Sequence, residues 1–206
     1  MSNKGKGIKV VLIGDAGVGK TCIISRYIDN KFNEETASTN GGSYCQKTIK
    51  IGDKEVLLDI WDTAGQEIYQ SLGKHFFRDA EAVCLVYDIT NQKSFENLKN
   101  NWYEDLQQYG RKDVIIAVVG NKSDLYEKEE ITENEGREFA VKINAIFKLT
   151  SAQSGTGINK LFESLAEKYF SPEHESKVKE VNTGRTESFL LNDRKNDGCC
   201  KKKKCC

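Results

Sequence analysis

The 206-residue chain holds one proline, one methionine and two histidines, and its formal charge cancels, with 31 lysines and arginines against 31 aspartates and glutamates. Collagen-like repeats are excluded, and the composition does not describe disorder throughout. No apolar run approaches the roughly 18 residues that a membrane-crossing helix needs. Met1 to Lys9 is polar and lacks the apolar core of a signal peptide. His75 and His174 lie outside any ligand-like spacing and read as structural or solvated. Cysteine is the exception to this scarcity: there are seven, four of them in Cys199-Cys200-Lys201-Lys202-Lys203-Lys204-Cys205-Cys206. Cys22, Cys45 and Cys84 sit singly in apolar segments and read as small apolar fillers. An odd count without a secretion signal argues against a disulfide framework and for a reducing compartment.

What remains is a soluble, globular composition of one domain's length, 38% apolar and 30% charged. Regular periodicity runs over residues 8–170, and Pro172 reads as a helix stop. The expected division is a globular domain over 1–170 and a disordered tail over 171–206. That tail carries nine basic and six acidic residues, so the body is left with an excess of acid. The tail is too polar to bury a core, and its one apolar cluster is Phe189-Leu190-Leu191.

Val10–Ile13, Ala82–Tyr87 and Val114–Val119 are short, β-branched and almost wholly apolar, as strands covered on both faces are. Ala145–Leu149 is a fourth strand candidate. Gly52-Asp53 reads as the turn of a hairpin joining Tyr44–Ile51 to Val56–Trp61. Phe95, Leu98, Trp102 and Leu106 mark a helix, with Ser94 as its expected N-cap and Gly110 as its stop. Thr132 with Glu135 reads as a capping box opening another helix. Leu161, Phe162, Leu165 and Tyr169 mark the last one. The order predicts an α/β fold: a six-stranded, mostly parallel sheet with one antiparallel edge strand and helices on both faces. Such sheets bind ligands at the carboxyl ends of their strands.

Gly14-Asp15-Ala16-Gly17-Val18-Gly19-Lys20-Thr21 follows the first strand and fits the P-loop pattern. By chance the pattern arises in roughly one chain of this length per hundred, so the strand–loop–helix context carries the weight. Glycines let successive N–H groups curl around phosphate oxygens, and the helix N-terminus favours the same anion. Lys20 is expected to reach the β- and γ-phosphates, and the Thr21 hydroxyl to bind Mg²⁺. At the end of the third strand, Asp62 can hold the metal through a water, Gly65 can offer its N–H to a γ-phosphate, and Gln66 can orient an attacking water. After the 114–119 strand, Asn121-Lys122-Ser123-Asp124 offers a carboxylate for the N1–H and 2-amino group of guanine, which adenine lacks. Asn121 can bond the purine edge and the Lys122 stem can cover the base. Thr150-Ser151-Ala152 can complete that pocket through backbone N–H groups.

With these motifs in place the chain resembles a small GTPase of the Ras superfamily, the Rab branch fitting best. The Rab likeness rests on Trp61-Asp62-Thr63-Ala64-Gly65-Gln66-Glu67, Leu85-Val86-Tyr87-Asp88-Ile89-Thr90, Ser94-Phe95-Glu96-Asn97-Leu98 and the double-cysteine ending. The resemblance implies a GTP/GDP switch on the P-loop GTPase fold. Its nucleotide would be held by Ala16, Gly17, Val18, Gly19, Lys20, Thr21, Cys22, Phe32, Thr39, Gly65, Asn121, Lys122, Asp124, Ser151, Ala152 and Gln153. Mg²⁺ would be held by Thr21, Thr39 and Asp62, and Lys20 and Gln66 would act in hydrolysis. Residues 32–44 and Asp62 to about Arg78 would be the two switches. No arginine stands placed as a finger, so an activating protein is expected to supply that charge.

Four positions depart from the family pattern: Ala16, Asn40, Ile68 and Gln153. Asn40 and Ile68 fall on partner surfaces, Gln153 on nucleotide release and Ala16 on intrinsic turnover. A prenyl Cys-a-a-X box needs cysteine fourth from the end, where Lys203 stands. The double-cysteine ending instead implies two geranylgeranyl chains on Cys205 and Cys206, with the lysines adding about 1 kcal/mol each at an anionic leaflet. Palmitoylation or metal binding by the cysteines are the alternatives. Expected partners are guanine nucleotide, effectors, an exchange factor, an activating protein and a lipid escort, with no nucleic acid. The expected state is a monomer on the cytoplasmic face of an intracellular membrane, with an escorted cytosolic pool. An ATP-using P-loop enzyme and a poorly hydrolysing GTP-binding scaffold are the competing functions.

Overall fold

Alternation along the apolar runs decides which side chain enters which layer. In β1 (Ile8–Ile13), Val10 and Leu12 enter one buried cluster while Val11 and Ile13 enter another. The computed structural model describes residues 7–33, 42–63 and 78–178. Within them, β2 (Gly42–Ile51), β3 (Lys54–Thr63), β4 (Ala82–Asp88), β5 (Ile115–Asn121) and β6 (Ile146–Leu149) complete a sheet of order β2-β3-β1-β4-β5-β6. Only β2 runs antiparallel, paired at the edge to β3 through the tight turn at Gly52. All other pairings are parallel. The fold is the expected α/β arrangement, and strands begin or end within a few residues of the sequence reading.

One face of the sheet is covered by α1 (Lys20–Asp29), through Ile23, Ile24 and Tyr27, and by α5 (Ile158–Tyr169), through Leu161, Phe162 and Leu165. Tyr27 and Phe162 stack with ring centroids 3.8 Å apart, which locks the two helices side by side. The other face takes Phe95, Leu98, Trp102 and Leu106 together with α4 (Glu133–Lys142). Leu12, Ile13, Leu58, Ile60 and Leu85 have no exposed surface, and each such side chain contributes roughly 1.5–3 kcal/mol.

The helix over Phe95 does not start where its apolar pattern does. Asn91, in extended backbone, is the N-cap, and its side chain accepts from the Ser94 N–H. Ser94, the expected cap, lies inside the first turn, where its hydroxyl donates to the Asn91 carbonyl at 2.7 Å. Both residue types cap well, so the apolar period alone misplaces the start by one turn. α2 (Gln92–Asn97) then passes through a π-helical turn, Leu98–Trp102, into α3 (Tyr103–Tyr109), which Gly110 ends as expected. The Thr132–Glu135 capping box is present in both directions.

α5 ends at Tyr169, with Phe170 as its C-cap, ahead of Pro172 as expected, and Pro172 then opens a second, short helix over 172–178. Proline suits a first helical turn, where its missing N–H has no partner to lose. His174 on this helix is 5% exposed, with Nε2 2.9 Å from the Asp113 carbonyl and Nδ1 3.1 Å from that of Tyr169. It is the structural histidine the sequence allowed. Cys84 is fully buried, and burial pushes its thiol up to about 12; Cys22 and Cys45 are half-buried against the first cluster, so all three act as fillers. Among the described residues no helix is long and apolar enough to cross a membrane. Thr39, Asn40, Gly65, Gln66, Ile68, His75, any helix between β3 and β4, and Cys205 and Cys206 lie outside the described residues.

Candidate nucleotide-binding site

The parallel pairings bring the carboxyl ends of β1, β3, β4, β5 and β6 to one edge of the sheet. The loop leaving β1 is shaped by its glycines. At Gly14 (φ 147°) a Cβ would strike the Val86 carbonyl, and at Gly19 (φ 95°) it would strike the Asn121 amide. The left-handed backbone at Gly19, the N-cap of α1, turns the loop sharply into the helix.

Lys20 opens that helix and bends back over the loop. Lys20 is 5% exposed, and its ammonium donates to the carbonyls of Gly14 and Asp15, both at 2.8 Å. Burial pulls it down from 10.5 to about 8, against the raising pull of Asp62 and Asp15. The unfolded chain therefore binds more protons than the native one between about pH 8 and 10.5. Lys20 weakens the fold fully below that window and progressively less as pH rises through it. A polyphosphate against Nζ reverses the shift. Nucleotide binding to the nucleotide-free protein is thus expected to take up close to one proton near pH 9, falling off towards pH 7. Calorimetry in buffers of different ionisation heat measures that uptake.

Thr21 stands beside Asp62, the penultimate residue of β3, which is 1% exposed; the Thr21 hydroxyl donates to Asp62 Oδ2 at 2.7 Å. A hydroxyl and a buried carboxylate converging at the loop are the hard oxygen donors that suit Mg²⁺. Thr63, next in the strand, ties its hydroxyl to the Leu12 carbonyl at 2.7 Å and so holds the ends of β1 and β3 together.

The third group closes β5. Asn121 is 1% exposed, donates from Nδ2 to the Val18 carbonyl at 2.8 Å and accepts from the Thr150 hydroxyl at 3.1 Å. Its amide thus braces the phosphate loop against the ends of β5 and β6, a use that the reading of it as a purine contact did not include. Lys122 takes left-handed backbone (φ 65°) and pairs with Asp88 at 2.6 Å. The Ser151 hydroxyl donates to Asp124 Oδ1 and also accepts the Ser154 N–H at 3.0 Å. This fixes the rotamer of the Asp124 carboxylate, which keeps acceptor sites for further donors. Ala152 is buried and Gln153 exposed. Arg26 on α1 grips their carbonyls at 2.8 and 2.7 Å, joining the 151–153 loop to the helix that follows the phosphate loop. Phe32 follows α1 and packs half-buried on the first cluster.

Arg26, Asp88 and Asp15 carry this geometry without having been singled out in the sequence. Only a charge on the helix after the loop, and an acid between two loop residues, hinted at them.

A P-loop nucleotide-binding protein of the α/β class is what this sheet edge defines. The Ras family model matches residues 9–171. Rab-8B of Pongo abelii is 40% identical over 77% of this chain and 76% of its own length. RabC of Dictyostelium discoideum is 39% identical over 82% of this chain and 87% of its own length. Rab-22A of Canis lupus familiaris is 39% identical over 75% and 79%. The chain belongs to the Ras family and is a Rab-type small GTPase.

Proposed function

We propose that the protein is a slowly hydrolysing GTP/GDP switch that recruits effectors to vesicle membranes in intracellular trafficking. One observation carries this: a buried lysine, a threonine–carboxylate pair and a fixed carboxylate stand at one sheet edge, cross-braced by Asn121. The donors and acceptors suit a ligand that carries a polyphosphate and a purine.

In this reading the loop from Gly17 to Cys22 wraps the phosphates, its N–H groups turned to them. Lys20 neutralises charge as the γ-phosphoryl group leaves. Thr21, Asp62 and Thr39 would hold Mg²⁺, which would supply Lewis-acid stabilisation of charge developing on the phosphates. Gly65 donates to the γ-phosphate and Gln66 orients the attacking water for in-line displacement. Phe32, Asn121, Lys122, Asp124, Ser151, Ala152 and Gln153 enclose the guanine. The protein does little covalent chemistry; it positions and neutralises. The sequence has no arginine within Gly14–Thr21 or next to Gln66, which supports dependence on an activating protein, worth about 10³–10⁵ in rate in such systems.

Geranylgeranyl chains on Cys205 and Cys206, with Lys201 to Lys204 beside them, are the proposed anchor on the cytoplasmic membrane face. A lipid escort, an exchange factor and effectors follow as partners from the family.

Single-turnover GTP hydrolysis tests the catalytic assignment. Gln66→Leu is expected to lower the activator-stimulated rate by about 10³-fold or more. A variant as fast as the parent, with and without activator, overturns it. A parent that never hydrolyses GTP would favour the scaffold reading.

A further inference from the structure

Asp15, the second residue of the phosphate loop, is gripped from the opposite layer of the fold. Nε1–H of Trp102 donates to Oδ1 at 2.8 Å and Nδ2–H of Asn97 donates to Oδ2 at 2.7 Å. The two donors are five residues apart. In an α-helix that spacing places them about 140° apart around the axis, too far to meet one carboxylate. A turn closed by an i→i+5 bond brings them onto one face. Such a turn lies between them: Leu98–Trp102 is π-helical, with the Tyr103 N–H bonded to the Leu98 carbonyl.

The grip has a route to the phosphate site. The Asp15 carbonyl is one of the two acceptors that hold the Lys20 ammonium, at 2.8 Å. Trp102 is 4% exposed and seated among Phe95, Leu98 and Leu106, so its N–H is a fixed point rather than a swinging one. We propose that Asn97 and Trp102, through Asp15, are positioning residues that hold the phosphate loop and Lys20 in their nucleotide-binding shape and so slow nucleotide release. The π turn is the local distortion that lets both donors reach one carboxylate. This rests on the reading of the Gly14–Thr21 loop as the nucleotide site.

Release of fluorescently labelled GDP from the full chain is the test. Trp102→Phe keeps an aromatic ring in the pocket and removes the N–H donor together with part of the ring volume, and Asp15→Ala removes both acceptors. Each is expected to speed release about tenfold, the usual weight of a hydrogen bond to a charged group. The double variant is expected to release no faster than Asp15→Ala alone, because the bond lost in Trp102→Phe is already lost in Asp15→Ala. Asn100→Ala, exposed on the same turn, is expected to leave release within twofold. Melting midpoints are measured alongside, and if Asp15→Ala fails to fold, Trp102→Phe and Asn97→Ala carry the comparison. Release within twofold of the parent in Trp102→Phe and Asn97→Ala overturns the proposal. So do effects that multiply in the double variant, since Trp102 then acts through packing. A parent chain that retains no GDP overturns the nucleotide reading itself and the positioning role with it.

Discussion

Lys20→Ala is expected to lower affinity for GTP and GDP by about 10²–10³-fold, the cost of truncating one partner of a buried charge pair. Lys20 is 5% exposed and its ammonium already desolvated, so the fold has met much of the cost of bringing charge to the phosphates before any nucleotide arrives. Its two carbonyl acceptors belong to the loop itself, which sets Nζ by backbone geometry rather than by a mobile side chain. The same substitution is expected to leave the melting temperature of the nucleotide-free protein unchanged or raised. A buried cation whose affinity for its proton has fallen to about 8 weakens the fold at neutral pH. Loss of ligand binding without loss of stability separates a role in the site from a role in the core. Lys20→Arg restores charge but not the compact ammonium, and is expected to recover only part of the affinity. Titration of labelled GDP reads both variants; an alanine variant within threefold of the parent removes Lys20 from the phosphate site.

The parts of the site legible in the sequence are those in which local chemistry and backbone need coincide. Gly14 and Gly19 are required by positive φ and by the close approach of Val86 and Asn121, so a short pattern carries the whole loop. The Thr132–Glu135 box is legible for the same reason, since both partners lie within one turn. Strands β1, β4 and β5 stand out because burial on both faces removes polar residues from them. What stayed hidden depends on residues far apart in the chain. Nothing near Asp15 says that Asn97 and Trp102 will hold its carboxylate, and nothing near Asn121 says that its amide will be spent on Val18 and Thr150. The π turn is invisible to apolar periodicity, because Leu98, Trp102 and Leu106 keep the spacing an ordinary helix also shows. Pro172 marks the end of α5, but the short helix it opens over 172–178, on which His174 is buried, stays hidden because proline ends one helix and begins another equally well.

ATP is expected to compete with labelled GDP about 10³-fold less well than GTP, through two lost charge-assisted hydrogen bonds at Asp124. Guanine has N1–H and the 2-amino group to offer a carboxylate so placed. Adenine presents a lone pair at N1 and a C–H at position 2, so it offers no donor and sets one acceptor against another. Discrimination of this size requires a carboxylate that cannot turn away to meet the wrong base. The Ser151 hydroxyl supplies that constraint by donating to Oδ1, and Ser151 is itself held by the Ser154 N–H on its oxygen and by its own N–H on the Thr156 carbonyl at 3.0 Å. Lys122, tied to Asp88, fixes the backbone between Asn121 and Asp124. Inosine triphosphate keeps N1–H and lacks only the 2-amino group, so it is expected to fall between the two, about 10- to 100-fold below GTP. Asp124→Ala is expected to remove most of the difference among the three by weakening GTP rather than by improving ATP. Ser151→Ala leaves the carboxylate in place but free to rotate, and is expected to cost a smaller part of the discrimination, about tenfold. If ATP competes within tenfold of GTP in the parent protein, the Asp124 carboxylate does not read the base, and the ATP-using reading of the fold gains what the guanine reading loses.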